Sequence, residues 1–271
     1  MEVWYVCLLQ FLLISCVQSN KWRMFGGRSV KPGEYPYLVF VVADRLNIRY
    51  CTGSILSSTW ILTAAHCLRI EEKNIPARKF KVFAGITNYE TPETTVQASN
   101  GRSMVIHPDY KLFNVTNFTD LASYNDLGLL QLEHPLTFNS FVSDIHLSAM
   151  LPTGEKMIDC SAIGFGQTEE GNTKRLKAIE VLKVTRCTDT DDRELGALYD
   201  NDDYLCGYAG RDIFPANGDS GSPMVCGNNV VGVCFWVKKL NEMNDKVMIH
   251  TAVRRFIPWI LSHVGDLVVN D

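Results

Sequence analysis

Three short segments carry side chains that could act together in nucleophilic chemistry. They are Thr63-Ala64-Ala65-His66-Cys67, Asn125-Asp126-Leu127-Gly128-Leu129-Leu130 and Gly218-Asp219-Ser220-Gly221-Ser222-Pro223. A serine hydroxyl is a weak nucleophile until a neighbouring imidazole accepts its proton. That imidazole works best when a buried carboxylate fixes its tautomer and stabilises the imidazolium. His66, Asp126 and Ser220 are of the right type for these three roles. Taken singly, each segment has a plainer reading. Gly-Asp-Ser-Gly suits a tight turn, a histidine beside a cysteine suits packing, and an aspartate after asparagine suits a turn or cap. Their joint occurrence in the order His, Asp, Ser points to acyl transfer.

The order and the neighbourhoods resemble the chymotrypsin/trypsin-like serine peptidases and differ from the orders in subtilisins and α/β-hydrolases. The resemblance covers about residues 24–263. It implies an all-β fold: two antiparallel six-stranded β-barrels packed together, with the active site between them and a C-terminal helix. Barrel closure removes exposed strand edges. It also implies that the backbone N–H groups of Gly218 and Ser220 form an oxyanion hole, which stabilises the charge developing on the substrate carbonyl.

The elements needed to position these groups are legible in part. Tyr37–Ala43, Phe80–Phe83, Gly128–Leu132 and Val230–Val237 are rich in β-branched, aromatic and aliphatic residues, and Gly, Asn, Asp and Pro separate such runs. Apolar residues at helical intervals first occur over Arg254–Val264. No internal repeat or low-complexity stretch interrupts the chain. The boundary between barrels is placed near residues 140–150 on the resemblance alone.

Val3 to Val17 is almost unbroken apolar sequence, too short for a membrane span and suited to a secretory signal. The expected organisation is a signal over residues 1–19, a short activation peptide over 20–23, and a peptidase domain over 24–271. Cysteine usage fits an extracellular product. Nine cysteines are present, and Cys7 and Cys16 fall in the apolar leader. The family resemblance implies bridges Cys51–Cys67, Cys160–Cys226 and Cys187–Cys206. Cys234 is left over, either as a buried thiol or as one half of an intermolecular bridge. The sequons at Asn114 and Asn117 are candidate glycan sites. A formal charge of −4 with no basic cluster argues against a nucleic-acid partner. Seven acidic residues between Cys187 and Cys206 read either as a solvated loop or as a surface for basic partners or a cation. No zinc, nucleotide or haem motif occurs, so neither cofactor nor metal is expected. A monomer is expected, with no membrane association.

Arg23 precedes Met24-Phe25-Gly26-Gly27, which is similar to the family's activation site. Cleavage there by a trypsin-like protease would free the Met24 α-amino group to pair with Asp219 and order the oxyanion loop. The specificity pocket departs from the family pattern. Phe214 stands at the base, where trypsin-like members carry a selecting aspartate, and Asp212 would need a shifted register. Ala216 replaces one cysteine of a pocket-wall bridge, whose partner is also missing. Phe235-Trp236-Val237 replaces Ser-Trp-Gly, removing a serine that normally hydrogen-bonds the catalytic aspartate. Met248 falls where a glycine usually leaves space. A pocket lined by Phe214, Trp236, Val237 and Met248 should be shallow, with apolar rather than Arg/Lys preference, or blocked. The expected function is a secreted serine endopeptidase acting on proteins or peptides, made as a zymogen and open to protein inhibitors. The alternative is a catalytically weak or inactive homologue that acts as a secreted binding or regulatory protein.

Overall fold

A computed structural model describes residues 26–43, 50–70, 73–91, 93–114, 121–151, 159–167, 175–190, 193–199, 202–240 and 245–270. Arg23, Met24 and Asn117 lie outside these residues, as does the leader.

Six antiparallel strands close the first barrel. Gly128–Leu132 pairs with Trp60–Thr63, which pairs in turn with Tyr50–Ser57, Leu38–Ala43, Phe80–Ala84 and Gln97–Ile106, and the last returns to Gly128–Leu132. The strand Leu38–Ala43 is almost wholly buried, consistent with its continuous apolar sequence. Gln97–Ile106 instead mixes exposed polar residues with buried Ser99 and Gly101. A hairpin of Lys111–Asn114 and Leu121–Tyr124 stands beside this barrel and leads directly into Asp126.

The second half is a ten-stranded sheet. Its main path runs from Lys177–Val181 through Cys160–Gly164, Pro223–Cys226, Asn229–Lys239, Lys246–Ala252 and Tyr204–Tyr208 to Lys183–Arg186. The two ends of that path are consecutive in sequence and separated only by Leu182, so one bent strand brings the sheet back upon itself. Short strands Arg28–Ser29, His146–Ser148 and Val269–Asn270 extend it. The expected all-β, trypsin-like architecture is what the chain adopts. The chain passes between the halves after Leu132 and joins the second sheet at His146.

The C-terminal helix begins later than the periodicity predicts. Val253–Phe256 forms a 3-10 turn, and the α-helix spans Ile257–Val264 with Pro258 in its first turn, where a missing N–H costs nothing. Ile257 and Ile260 are buried, and Trp259 packs edge-on against His107. Three disulfides join Cys51 to Cys67, Cys160 to Cys226 and Cys187 to Cys206, while Cys234 is a buried free thiol.

Candidate active site

His66 sits in a 3-10 turn, Ala65–Leu68, that begins as soon as the strand Trp60–Thr63 ends. Gly128 lies under this turn, and a Cβ there would press against Leu68 and Ala65. The Cys51–Cys67 bridge ties the turn to the neighbouring strand across a separation of 16 residues. Closing a loop of about this length contributes roughly 3 kcal/mol in the chain-entropy model. The His66 side chain keeps 24% of its surface exposed, which leaves its outer edge open to a substrate.

Asp126 is almost fully buried at 1% exposure. Asn125 turns the chain into it with a φ of 51°, a left-handed conformation that asparagine tolerates better than most residues. The Asn125 backbone N–H donates to the Tyr204 hydroxyl at 3.1 Å, and its side-chain amide donates to the Asp109 carbonyl at 3.0 Å. Three donors then converge on the Asp126 carboxylate. The His66 backbone N–H reaches Oδ1 at 2.9 Å, the His66 Nδ1–H reaches Oδ2 at 2.8 Å, and the Ser123 hydroxyl reaches Oδ2 at 2.7 Å. Burial alone would raise the carboxyl's pKa. The imidazole and the three hydrogen bonds outweigh it and hold the group below the ordinary aspartate value. An ionised Asp126 fixes the tautomer in which the His66 Nε2 is free to accept a proton.

Ser220 lies in a turn that only glycines can flank. Gly218 and Gly221 have φ values of 103° and 80°. A Cβ on Gly218 would collide with the Tyr50 ring, and one on Gly221 with the Thr63 hydroxyl and the Thr52 carbonyl. The Thr52 N–H donates to the Ser220 carbonyl at 2.9 Å, and the Thr52 hydroxyl donates to the Gly218 carbonyl at 3.1 Å. Because Cys51 is bonded to Cys67, the dipeptide Cys51-Thr52 anchors both the histidine turn and the serine turn. Among the described residues the Ser220 hydroxyl is not hydrogen-bonded to His66. Such contacts are often long before substrate binds.

Two carbonyls just before the serine turn are engaged by backbone donors. Asn217 accepts the Gln167 N–H at 3.0 Å, and Ala216 accepts the Asp219 N–H at 3.0 Å. Neither the Gly218 nor the Ser220 N–H is spent on a described neighbour. Asp219 is wholly buried, and its oxygens accept N–H groups from Gly166 at 2.7 Å and Ala216 at 2.8 Å. Gly164 and Gly166 permit this approach, since a Cβ on either would run into the carboxylate. Burial pushes the Asp219 carboxyl up to about 7 despite those two donors.

A pocket of about 390 Å³ opens beside Ser220, lined by Pro215, Ala216, Asn217, Cys234, Phe235, Trp236 and Val237. The sequence expectation placed Phe214 and Met248 in this lining, and neither belongs to it. Phe214 is 1% exposed, and the Lys246 ammonium lies 3.3 Å from its ring centroid, a cation–π contact. Burial lowers the Lys246 pKa to about 8, against the pull of Asp212. Met248 packs in the second core with Leu205 and Met224, although its strand pairs it with Val237.

The acidic 187–206 segment is largely spoken for where it is described. Asp202 pairs with Arg186 at 3.2 Å and Arg254 at 3.7 Å, and the buried Asp203 pairs with Arg255. Asn114 ends its strand, but its side chain is outside the described set. Ser123 is the site residue that sequence reasoning missed. Its signal was faint, a hydroxyl three positions before Asp126 in a chain that lacks the family's usual serine.

Comparison with known proteins agrees with this geometry. A family model described as Trypsin matches residues 24–260. Coagulation factor IX of Cavia porcellus is 31% identical over 255 residues, covering 88% of this chain and 80% of that protein. Granzyme E of Mus musculus is 28% identical over 259 residues, covering 93% and 96% respectively. With the family model matched over residues 24–260 and a relative 31% identical across most of both chains, the chain belongs to the trypsin family of serine peptidases.

Proposed function

We propose that the protein is a secreted serine endopeptidase that cleaves proteins or peptides through an acyl-enzyme, made as a zymogen and activated by a trypsin-like cut after Arg23. The observation that carries this reading is the His66–Asp126 pair, with Nδ1 held 2.8 Å from a buried carboxylate, beside a serine turn shaped by Gly218 and Gly221. In the reaction, Ser220 Oγ bonds to the substrate carbonyl carbon as His66 Nε2 takes its proton. The N–H groups of Gly218 and Ser220 receive the oxyanion. The intermediate collapses with cleavage of the C–N bond, and His66 returns the proton to the departing amine. Water, deprotonated by the same imidazole, then releases the acyl group.

Activation follows from Asp219. A buried carboxylate without a cationic partner is costly, and an inserted α-ammonium would relieve that cost and lock the serine turn. The family match begins at Met24, the residue that such a cut would expose. Apolar primary specificity is supported by a lining that includes Pro215, Ala216, Trp236 and Val237, with no carboxylate among the described lining residues. Secretion is supported by the apolar leader and by three disulfides, which persist in oxidising compartments. Among the described residues no helix is long and apolar enough to cross a membrane.

The test is covalent labelling of the Arg23-cleaved protein with a fluorophosphonate, the adduct being located by mass spectrometry with Ser220→Ala as control. An adduct on Ser220 is expected. Correctly cleaved, folded protein that takes no label would mark a binding or regulatory homologue. Rapid cleavage of peptides after Arg would overturn the apolar specificity.

A further inference from the structure

We infer that Ser123 is a positioning residue for the catalytic pair, supplying from the first barrel the hydroxyl donor that the second barrel lacks at Phe235. The inference rests on the peptidase reading above. Ser123 is 3% exposed, and its hydroxyl lies 2.7 Å from Asp126 Oδ2, the same oxygen that accepts the His66 Nδ1–H. With Oδ1 held by the His66 backbone N–H, both oxygens are fixed and the carboxylate cannot rotate freely about its Cβ–Cγ bond. The hydroxyl acts through Asp126 and does not touch the pocket beside Ser220.

The framework around Ser123 is built to hold it. Its strand pairs it with Leu112, and the adjacent Tyr124 stacks on Phe113 at 4.7 Å between centroids. The Tyr124 hydroxyl donates to the Leu198 carbonyl at 3.0 Å. Phe235 meanwhile turns its ring to Tyr199 and Tyr204, at 5.8 and 5.9 Å, so an aromatic wall stands on the second-barrel side. The hydroxyl hydrogen bond that Asp126 accepts comes from three residues away along its own chain. Donor, acceptor and imidazole therefore all belong to the first barrel and its hairpin, while Tyr204 and the Leu198 carbonyl brace the hairpin from the second half.

Proton NMR of the full chain carrying Ser220→Ala, which blocks self-cleavage, can follow the Nδ1–H resonance shared by His66 and Asp126. Ser123→Ala should speed exchange of that proton with water by about tenfold or more, as expected when a hydrogen bond to a charged group is lost. Ser123→Thr should restore slow exchange. Ser123→Cys, nearly isosteric but a weaker donor, gives the same reading if the alanine variant does not fold. In the cleaved enzyme with Ser220 intact, Ser123→Ala should lower kcat about tenfold and leave KM within about twofold. Unchanged exchange in Ser123→Ala, or a loss that threonine does not restore, would overturn the inference. Failure of Ser220 to take a fluorophosphonate would instead sink the peptidase reading, and the exchange comparison would still decide the role of Ser123.

Discussion

The two sides of the cleft differ in how tightly their chemistry is constrained. On the first-barrel side, His66 and Asp126 are joined by two hydrogen bonds, a third comes from Ser123, and a disulfide clamps the turn. On the second-barrel side, the pocket has lost a family bridge and carries Phe235 and Val237 where a serine and a glycine are usual. Proton transfer tolerates errors of only fractions of an ångström, whereas an apolar pocket accepts many side chains of similar volume. The His66–Asp126 side is therefore the more tightly held of the two.

The sharpest way to break this contrast is Asp126→Asn. An amide would offer an N–H to the ring and favour the wrong tautomer, so kcat should fall by about 10⁴-fold in steady-state assays of the cleaved enzyme. A loss of only a few fold would mean that the first-barrel side is not the constrained one. Next comes Gly218→Ala, which asks a Cβ to occupy the Tyr50 ring at a φ of 103°. Displacing that oxyanion donor should cost about 100-fold or more in kcat.

Asp219 links the two sides through pH. The folded chain keeps the Asp219 proton up to about pH 7, whereas the unfolded chain releases it near the ordinary aspartate value of 3.8. Between those values the folded state binds more protons, so this group's contribution to stability falls as pH rises. The slope should approach about 1.4 kcal/mol per pH unit within that window in the uncleaved protein. Urea midpoints at pH 4.5 to 7.5 would read it, and Asp219→Asn should flatten it. Cleavage after Arg23 should remove or invert the slope, because an adjacent ammonium favours the carboxylate. The smallest effect is expected on the recognition side. Val237→Gly should raise kcat/KM for large aromatic residues before the scissile bond by about tenfold, with little change for alanine. Equal gains for all substrates would show that the valine shapes the catalytic groups rather than the pocket.

Much of the site could be read from local sequence, because its motifs are local. The glycines around Ser220 are required by backbone conformations and close contacts that leave no room for a Cβ, and this requirement is written into the sequence itself. The strand cores were legible as continuous apolar runs such as Leu38–Ala43, with valine at three of its six positions. The helix start was misplaced because Pro258 and a 3-10 turn shape the first turn while the apolar spacing extends further upstream. The pocket was the hardest part to read. Counting back from Ser220 gives a position for Phe214, but not whether its ring faces the cleft or lies under Lys246.

By itself, the sequence determined the family, the all-β class and the glycine turns, and it singled out His66, Asp126 and Ser220 as the candidates for chemistry. These depend on residue chemistry and short-range spacing. Only the tertiary structure decided that the Ser123 hydroxyl would bond Asp126, that Met248 would enter the second core, and that the Asn217 carbonyl would accept the Gln167 N–H. Each of those outcomes turns on side-chain direction or on contacts between distant segments, which packing and hydrogen-bond competition settle only once the chain is folded.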